Sequence, residues 1–261
     1  MINLTILKIG GNVLDNHSSL QFVLDSFASL KENKVLIHGG GKIANVLMKQ
    51  LGIEPKMLDG RRITDEKSLE IVTMVYAGWI NKSIVSQLQA RNCNAFGLTG
   101  ADGNIIPAIK RPVKEIDFGF VGDIDASKIN AKVICGLIEQ KLVPIFAPIT
   151  HDKNGLLLNT NADTIASSIA IALAPYYKVK LIYCFEKNGV LSNPDDDSSV
   201  IRQIDENAFN SYKAKGIIHS GMIPKLDNAF AGLKAGVTEI VICGPNTFLA
   251  NNPIQGTTIT L

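Results

Sequence analysis

A single lysine interrupts the apolar run LTILKIGGNVLD (residues 4–15) near the start of the chain. The run predicts a buried strand that ends at Gly10 and Gly11, with Lys8 close to its carboxyl end. A buried ammonium group is unfavourable unless an anion faces it, and open α/β sheets bind ligands at the carboxyl ends of their strands. We therefore predict that Lys8 faces a bound anion.

The composition is that of an ordinary globular protein, with 261 residues, of which 46% are hydrophobic and 19% are charged. The net charge of +2, without a basic stripe interleaved with aromatic residues, argues against nucleic-acid binding. Four scattered cysteines without C-x-x-C spacing or paired histidines predict neither a disulfide framework nor a metal site. Because there is no signal pattern and no apolar run of roughly 18 residues, we expect a cytoplasmic protein without a membrane span.

Short apolar runs alternate with helical stretches along the whole chain. The predicted strands are residues 4–9, 34–38, 95–98, 143–147, 181–184 and 239–243. The predicted helices are about 18–32, 43–51, 65–91, 127–140, 163–173, 206–212 and 223–235, with Thr64 as the N-cap of the third. This alternation predicts a single α/β domain (1–261), a three-layer αβα sandwich around an open, mainly parallel sheet. Residues 104–126 break the pattern and predict hairpins that stand off the main sheet.

Three consecutive glycines follow the second predicted strand, in VLIHGGGKIANVL (residues 35–47). Glycines between a strand and a helix let the backbone approach an anion closely. The phosphate-binding motif G-x-x-x-x-G-K-[ST] fails here, because Leu36 replaces its first glycine and Ile43 follows Lys42. The dinucleotide fingerprint G-x-G-x-x-G/A matches residues 39–44, with Asp59 about 20 residues further on, and leaves a nicotinamide-dependent oxidoreductase as an alternative.

Polar residues in two other segments are candidates for ligand binding. Arg61 and Arg62 precede a helix, and an arginine there could clamp a carboxylate or a phosphate. Asn159, Asn161 and Asp163 alternate at the exit of a strand; Asp163 is expected at or near the helix N-cap, and the surplus polar groups suggest a polar ligand.

Lys225 follows Pro224 in the first turn of a predicted helix, where its positive charge opposes the helix dipole and calls for an anion nearby. The chain carries no G-x-S-x-G motif and no Cys/His pair that would supply a nucleophile. Phosphoryl transfer needs no nucleophilic side chain, only positioning and charge stabilisation, which lysines and glycine N–H groups supply. The candidate residues therefore favour phosphoryl transfer.

The segments KIGGNVLD, HGGGK, DGRRITD, NTNADTIA and GMIPKL occur in this order. Together they resemble the amino acid kinase superfamily, and the resemblance covers essentially the whole chain. The motifs NxNAD and GMIxK are specific to the branch that phosphorylates the γ-carboxylate of an N-acylated glutamate in arginine biosynthesis. The resemblance implies the amino acid kinase fold, with an N-terminal lobe (about 1–175) for acylglutamate binding and dimerisation and a C-terminal lobe (about 176–261) for ATP.

The resemblance also implies roles for individual residues. Lys8 and Lys225 would stabilise the phosphoryl group in flight, and Asp163 would hold the two lysines without acting as a base. The implied substrate-binding residues are Gly40, Gly41, Arg62, Asn159 and Asn161. Among them, Arg62 would clamp the α-carboxylate of the substrate. The implied ATP-binding residues are Gly10, Gly11, Glu186, Gly189, Ile217 and His219. Mg²⁺ would accompany ATP, bound mainly through the phosphates.

Two segments depart from the pattern of the superfamily. Arg61 replaces an aliphatic residue, which raises the alternative of an acyl group with its own carboxylate, N-succinyl instead of N-acetyl. The segment CFEKNGV (residues 184–190) replaces TDVxGV near the nucleotide.

Arginine-sensitive members carry an extra N-terminal helix; the first strand is predicted to start by Leu4, so we expect a homodimer insensitive to arginine. Carbamate, aspartate, glutamate and UMP kinases remain alternatives within the superfamily.

Overall fold

The structure is a computed structural model that describes residues 1–58, 60–218, 222–248 and 255–261. The strands are β1 (Ile2–Ile9), β2 (Asn33–His38), β3 (Met57–Leu58), β4 (Arg61–Arg62), β5 (Ala95–Leu98), β6 (Ala108–Lys110), β7 (Gly122–Ile124), β8 (Val143–Phe146), β9 (Ile149–His151), β10 (Leu157–Asn159), β11 (Tyr177–Cys184), β12 (Gln203–Ile204), β13 (Glu239–Cys243) and β14 (Gly256–Ile259). The α-helices are α1 (Gly11–Asp15), α2 (His17–Ser29), α3 (Gly41–Gln50), α4 (Glu66–Thr73), α5 (Asn81–Gln89), α6 (Ala131–Glu139), α7 (Ala162–Leu173), α8 (Glu206–Ala214) and α9 (Ile223–Lys234). None of the helices in these ranges has the length and apolar character needed to cross a membrane.

Within the described part of the chain, eight strands form the central sheet, in the order β12-β14-β13-β11-β1-β2-β8-β5. The neighbours from β13 to β5 are parallel, and β14 runs antiparallel to β13. The predicted mainly parallel sheet is therefore confirmed. The pair β1–β11 lies at its centre and joins the strands of the two predicted lobes into one continuous sheet.

Helices cover both faces of the sheet, as the side chains that alternate between the two faces of β1 show. Leu4 and Ile6 belong to a core cluster shared with α6, α7, α8 and α9, whereas Leu7 and Ile9 belong to a second cluster shared with helices α2 to α5. Side chains alternate between the faces of a strand, so Lys8 lies on the same face as Leu4 and Ile6. The predicted three-layer sandwich is confirmed, and Lys8 faces the layer that contains α7 and α9.

Several helix boundaries differ from those predicted. The stretch 65–91 is divided into α4, a π-helical segment (Met74–Ile80) and α5, and its N-cap is Asp65, whose side chain accepts a hydrogen bond from the Ser68 N–H. Thr64 as the cap was therefore wrong: both residues are good caps, and the neighbouring backbone decided between them. The stretch 127–140 begins as a 3₁₀ turn, and α6 starts only at Ala131.

The predicted hairpin off the main sheet is confirmed, because β6 and β7 form a separate antiparallel pair. The chain that leads into β7 runs between the end of β4 and the end of β10. Gly119 bridges to Thr64, and Val121 bridges to Asn159. The hairpin thus connects two segments that carry candidate substrate residues.

Gly40 shapes the turn between β2 and α3 and packs directly on the π-helical segment. Its φ of 152° is a conformation that L-residues with a side chain rarely adopt. A Cβ atom here would overlap the Ile80 side chain and lie 2.9 Å from Cδ1 of Tyr76. Glycine is therefore required for this turn to close against the helix.

Candidate active site

Two lysines from opposite ends of the chain meet at one carboxylate. Nζ of Lys8 lies 2.7 Å from Oδ1 of Asp163, and Nζ of Lys225 donates a hydrogen bond to Oδ2 at 2.6 Å. Lys8 comes from β1, Asp163 from the first turn of α7 and Lys225 from the first turn of α9. The structure therefore brings together three side chains that are far apart along the chain.

Asn161, not Asp163, caps α7. Its side-chain oxygen accepts hydrogen bonds from the N–H groups of Asp163 and Thr164, at 2.8 and 3.1 Å. Asp163 lies near the N-cap, as expected, in the first turn of a helix that begins at Ala162, and Asn161 supplies the capping oxygen. This division leaves both oxygens of Asp163 available for the lysines.

The charges in the cluster compensate one another only in part. Burial alone would raise the pKa of Asp163, but the nearby positive charges of Lys8 and Lys225 outweigh it and lower that pKa. For Lys8, burial lowers the pKa, attraction to Asp163 raises it, repulsion from Lys225 lowers it, and the net shift is downward. Asp163 is therefore ionised at neutral pH, and two cationic side chains share this single anion.

Arg62 forms a second cationic position, beside the start of α3. The residue is 6% exposed, and its guanidinium donates to the Gly41 carbonyl at 3.1 Å and to Oδ1 of Asn45 at 2.6 Å. It also contacts Sδ of Met48 at 3.2 Å. Within the described ranges no carboxylate pairs with it. A buried guanidinium held only by neutral groups is suited to binding an anionic ligand.

The two glycine turns after β1 and β2 lie side by side. The Gly39 N–H donates to the Ile9 carbonyl at 3.1 Å, and a Cβ atom on Gly39 would lie 3.6 Å from the Gly11 nitrogen. The Gly10 N–H donates to the Cys184 carbonyl at 3.0 Å. Both turns therefore lie at the carboxyl edge of the sheet, where Lys8 also lies.

A buried histidine supports the second of these turns. His38 is fully buried, and its Nδ1 lies 2.8 Å from the Gly39 carbonyl, which can only accept, so Nδ1 carries the proton. Nε2 then accepts from Nδ2 of Asn81 at 3.2 Å, and Asn81 also donates to the Ile145 carbonyl at 2.9 Å. Burial lowers the pKa of His38 to about 4, so the ring is neutral at physiological pH and orients the glycine turn.

The remaining candidates are spread over both halves of the chain. Nδ2 of Asn159 donates to the Thr64 hydroxyl at 3.0 Å, which connects β10 to the segment of Arg62. Arg61 is exposed, while Arg62 is buried on the opposite face of β4. Glu186 is exposed just after β11, and Ile217 is half-buried in the turn after α8.

Gly189 and His219 are the other two predicted nucleotide-binding residues of the C-terminal half. Gly189 is buried, and a Cβ atom there would lie 2.7 Å from Oγ1 of Thr257 and Cγ1 of Val200, so glycine has a packing role at this position. His219 lies outside the described residues.

Sequence reasoning missed Phe185, Asn81 and Tyr76. The Phe185 ring lies beside both lysines, with its centroid 4.5 Å from Nζ of Lys8 and 4.2 Å from Nζ of Lys225. Tyr76 packs under Gly40, and burial raises its pKa. Only one signal pointed to any of them: Phe185 belongs to the segment that departs from the superfamily pattern.

The chain is similar to proteins of a known family. Residues 3–244 match the family described as the amino acid kinase family. The chain is 53% identical to an acetylglutamate kinase of Cytophaga hutchinsonii over 244 residues, which cover 93% of this chain and 92% of that protein. It is also 53% identical to an acetylglutamate kinase of Bacteroides thetaiotaomicron, over 92% of both proteins.

Solved structures show the same fold. The smu.665 protein of Streptococcus mutans superimposes with a TM-score of 0.81 at 28% identity, covering 98% of both chains. Carbamate kinase of Giardia lamblia bound to AMP-PNP gives a TM-score of 0.71 at 15% identity, covering 98% of this chain and 97% of that chain, and this likeness concerns the fold alone.

Burial of a neutral His38 makes stability depend on pH. The unfolded chain takes up a proton on this ring below about pH 6.5, whereas the folded protein resists protonation down to about pH 4. The contribution of His38 is therefore complete above pH 6.5 and falls as the pH is lowered to 4, by about 3 kcal/mol in total. Urea unfolding between pH 7 and pH 4.5 measures this loss. We expect His38→Asn to flatten the dependence and exposed His17→Asn to retain it; equal slopes for His38→Asn and the unmodified protein would contradict the assignment.

Proposed function

The chain belongs to the amino acid kinase family, and we propose that it is an ATP-dependent kinase that phosphorylates the γ-carboxylate of N-acetyl-L-glutamate in arginine biosynthesis. Relatives at 53% identity over most of the chain carry the name acetylglutamate kinase. The site residues fit this activity. The oxidoreductase alternative receives no support from the family match, and Asp59, the acidic residue of its fingerprint, lies outside the described residues.

The observation that carries the mechanism is the pair of ammonium groups at one carboxylate. A substrate carboxylate attacks as the anion and has no proton to lose, so the enzyme needs no general base. The barrier is lowered instead by groups that stabilise charge on the transferring phosphoryl group. We propose that Lys8 and Lys225 supply this charge. Asp163, ionised and bound to both, fixes where the two nitrogens lie.

The substrate end of the site lies around Arg62. Its guanidinium, held by Gly41 and Asn45, would bind the α-carboxylate of the acylglutamate as a planar fork. Gly40 and Gly41 belong to the adjacent turn and would bind the same substrate through their backbone. Asn159 lies next to the Arg62 segment and would complete this end. Asn161 would contribute through the backbone or its amide nitrogen, because its side-chain oxygen caps α7.

The nucleotide end would lie at the carboxyl ends of β1 and β11. Gly10 and Gly11 would approach the phosphates. The rest of the nucleotide would be bound by Glu186, Gly189, Ile217 and His219. Among the described residues no three His, Cys, Asp or Glu side chains form a metal cluster, and the lysines occupy both oxygens of Asp163. The side chains of this site therefore fit a Mg²⁺ ion that is held mainly by the ATP phosphates, where it would neutralise phosphate charge, and not an ion enclosed by protein ligands.

A coupled assay of ADP formation tests the activity. We expect turnover with ATP and N-acetyl-L-glutamate, and a higher kcat/KM for the N-acetyl than for the N-succinyl substrate, because exposed Arg61 lies on the face of β4 opposite to Arg62. Arg62→Ala should raise KM for the acylglutamate much more than KM for ATP, and Arg61→Ala serves as the matched control. Preference for N-succinyl-glutamate would identify the other acyl group, and turnover with carbamate, aspartate, glutamate or UMP instead would refute the assignment.

Removing either ammonium group tests the mechanism. We expect Lys8→Met and Lys225→Met to lower kcat on the order of 10²-fold or more, because each loses charge stabilisation of the transition state. Lys234→Met is the control, since this lysine lies in the last turn of α9 and pairs with Glu206 at the surface. Steady-state kinetics and thermal melts of all three variants separate turnover from folding. A variant that keeps most of its kcat would remove that lysine from the mechanism.

We also propose a homodimer, located in the cytoplasm, where ATP is supplied. Large apolar side chains are exposed on the π-helical segment and on the edge strand β5: Met74 at 58%, Trp79 at 71% and Phe96 at 43%. These exposed side chains are our candidates for the dimer interface. Size-exclusion chromatography with light scattering should give a dimer, and Trp79→Glu should shift it towards the monomer. A hexamer, or a monomer for the unmodified protein, would contradict this.

A further inference from the structure

Phe185 contacts both of the ammonium groups assigned to phosphoryl transfer. The ring centroid lies 4.5 Å from Nζ of Lys8 and 4.2 Å from Nζ of Lys225. Both distances lie within the range of about 6 Å over which a cation interacts favourably with an aromatic face. One ring thus serves two cations that already share one carboxylate, Asp163.

The ring is held in this place by its surroundings. The Phe185 N–H donates to the Cys243 carbonyl at 2.9 Å, which extends the pairing of β11 with β13 by one residue. The ring stacks on Tyr183, with centroids 6.1 Å apart and planes 4° from parallel. A Cβ atom on Gly10 would come within 3.0 Å of Cδ1 of Phe185, so the ring uses space that this glycine leaves open. The position of the ring is therefore fixed by backbone and packing.

The ionisable groups around Lys8 leave an excess of positive charge. Lys8 is faced by Asp163 from α7, by Lys225 from α9 and by the Cys184 thiol of β11. Burial and Lys225 both disfavour its charged form, and Asp163 is the one carboxylate of the described residues within ion-pair distance. The negative face of an aromatic ring offsets part of this excess positive charge without adding a full negative charge.

We propose that Phe185 is a positioning residue for phosphoryl transfer, whose π system holds the ammonium groups of Lys8 and Lys225 beside Asp163; this inference rests on the proposed kinase activity. An aliphatic side chain of similar size would fill the same space but leave the cations with less compensation. The role therefore depends on the π system and not on bulk alone.

Two variants of Phe185 distinguish the effect of the aromatic π face from the effect of side-chain volume. Phe185→Leu keeps an apolar side chain and removes the ring, whereas Phe185→Tyr keeps the ring. We expect Phe185→Leu to lower kcat about tenfold, with KM for the acylglutamate nearly unchanged, and Phe185→Tyr to retain most of the kcat. Phe209→Leu is the control, because Phe209 is a buried aromatic residue that packs on Phe230 in the same lobe, between α8 and α9.

A substrate-free measurement tests the ring directly. NMR titration of the lysine ε-methylene groups, with Lys8 assigned by comparison with Lys8→Met, reports the protonation of Lys8. In Phe185→Leu its titration midpoint should fall by about 1 pH unit, a tenfold change in the protonation equilibrium, whereas Phe185→Tyr and Phe209→Leu should leave it in place. An unchanged midpoint in Phe185→Leu, with or without a loss of kcat, would overturn the proposal. An unmodified protein that fails to transfer phosphate would refute the kinase assignment, and the titration would still decide the role of the ring.

Discussion

The site depends on the burial of one carboxylate between two ammonium groups. Desolvation works against every member of this trio, and the attraction of Asp163 for Lys8 and Lys225 must compensate for it. The contact also joins three elements that are distant in the chain, the central strand β1 and the first turns of α7 and α9. Removing Asp163 would leave two buried ammonium groups without their carboxylate, whereas removing either lysine would leave one ion pair, so the carboxylate is the member on which the arrangement of β1, α7 and α9 depends.

Close approach of the backbone is the second constraint, and glycines meet it. The turns after β1 and β2 lie in contact through Gly39 and Gly11, and Gly40 presses on the π-helical segment. Neutral His38, bonded to Asn81, holds the Gly39 carbonyl in one direction. The resulting edge of the sheet has cations on the β1 side and Arg62 on the other, which suits a substrate with an anionic group at each end.

The sequence predicted the sheet and the chemistry better than it predicted the local contacts. Lys8 was identifiable because burying a charge inside an apolar strand is unfavourable unless an anion faces it. The alternation of strands and helices predicted the layers of the fold. The cap of α4 was misassigned to Thr64, because the neighbouring Asp65 is equally able to cap and only the backbone conformation distinguished the two. Asp163 was expected at or near the cap of α7 and lies two residues after it, but Asn161 was not singled out as the capping residue. The place of Phe185 was not predictable, since an aromatic residue after a strand is usually core, and its contacts come from α9 and β1.

The choice of an aromatic ring at position 185 follows from what the site must bind. Two lysines and one aspartate leave a net positive charge, which attracts phosphate groups but repels itself while the site holds no anion. A second carboxylate would relieve that repulsion, yet it would also cancel the attraction for phosphate. The quadrupole of Phe185 relieves it partially and carries no net charge, so the ammonium groups remain close together without losing their affinity for an incoming anion. A neutral ring is therefore better suited to this position than an acidic side chain.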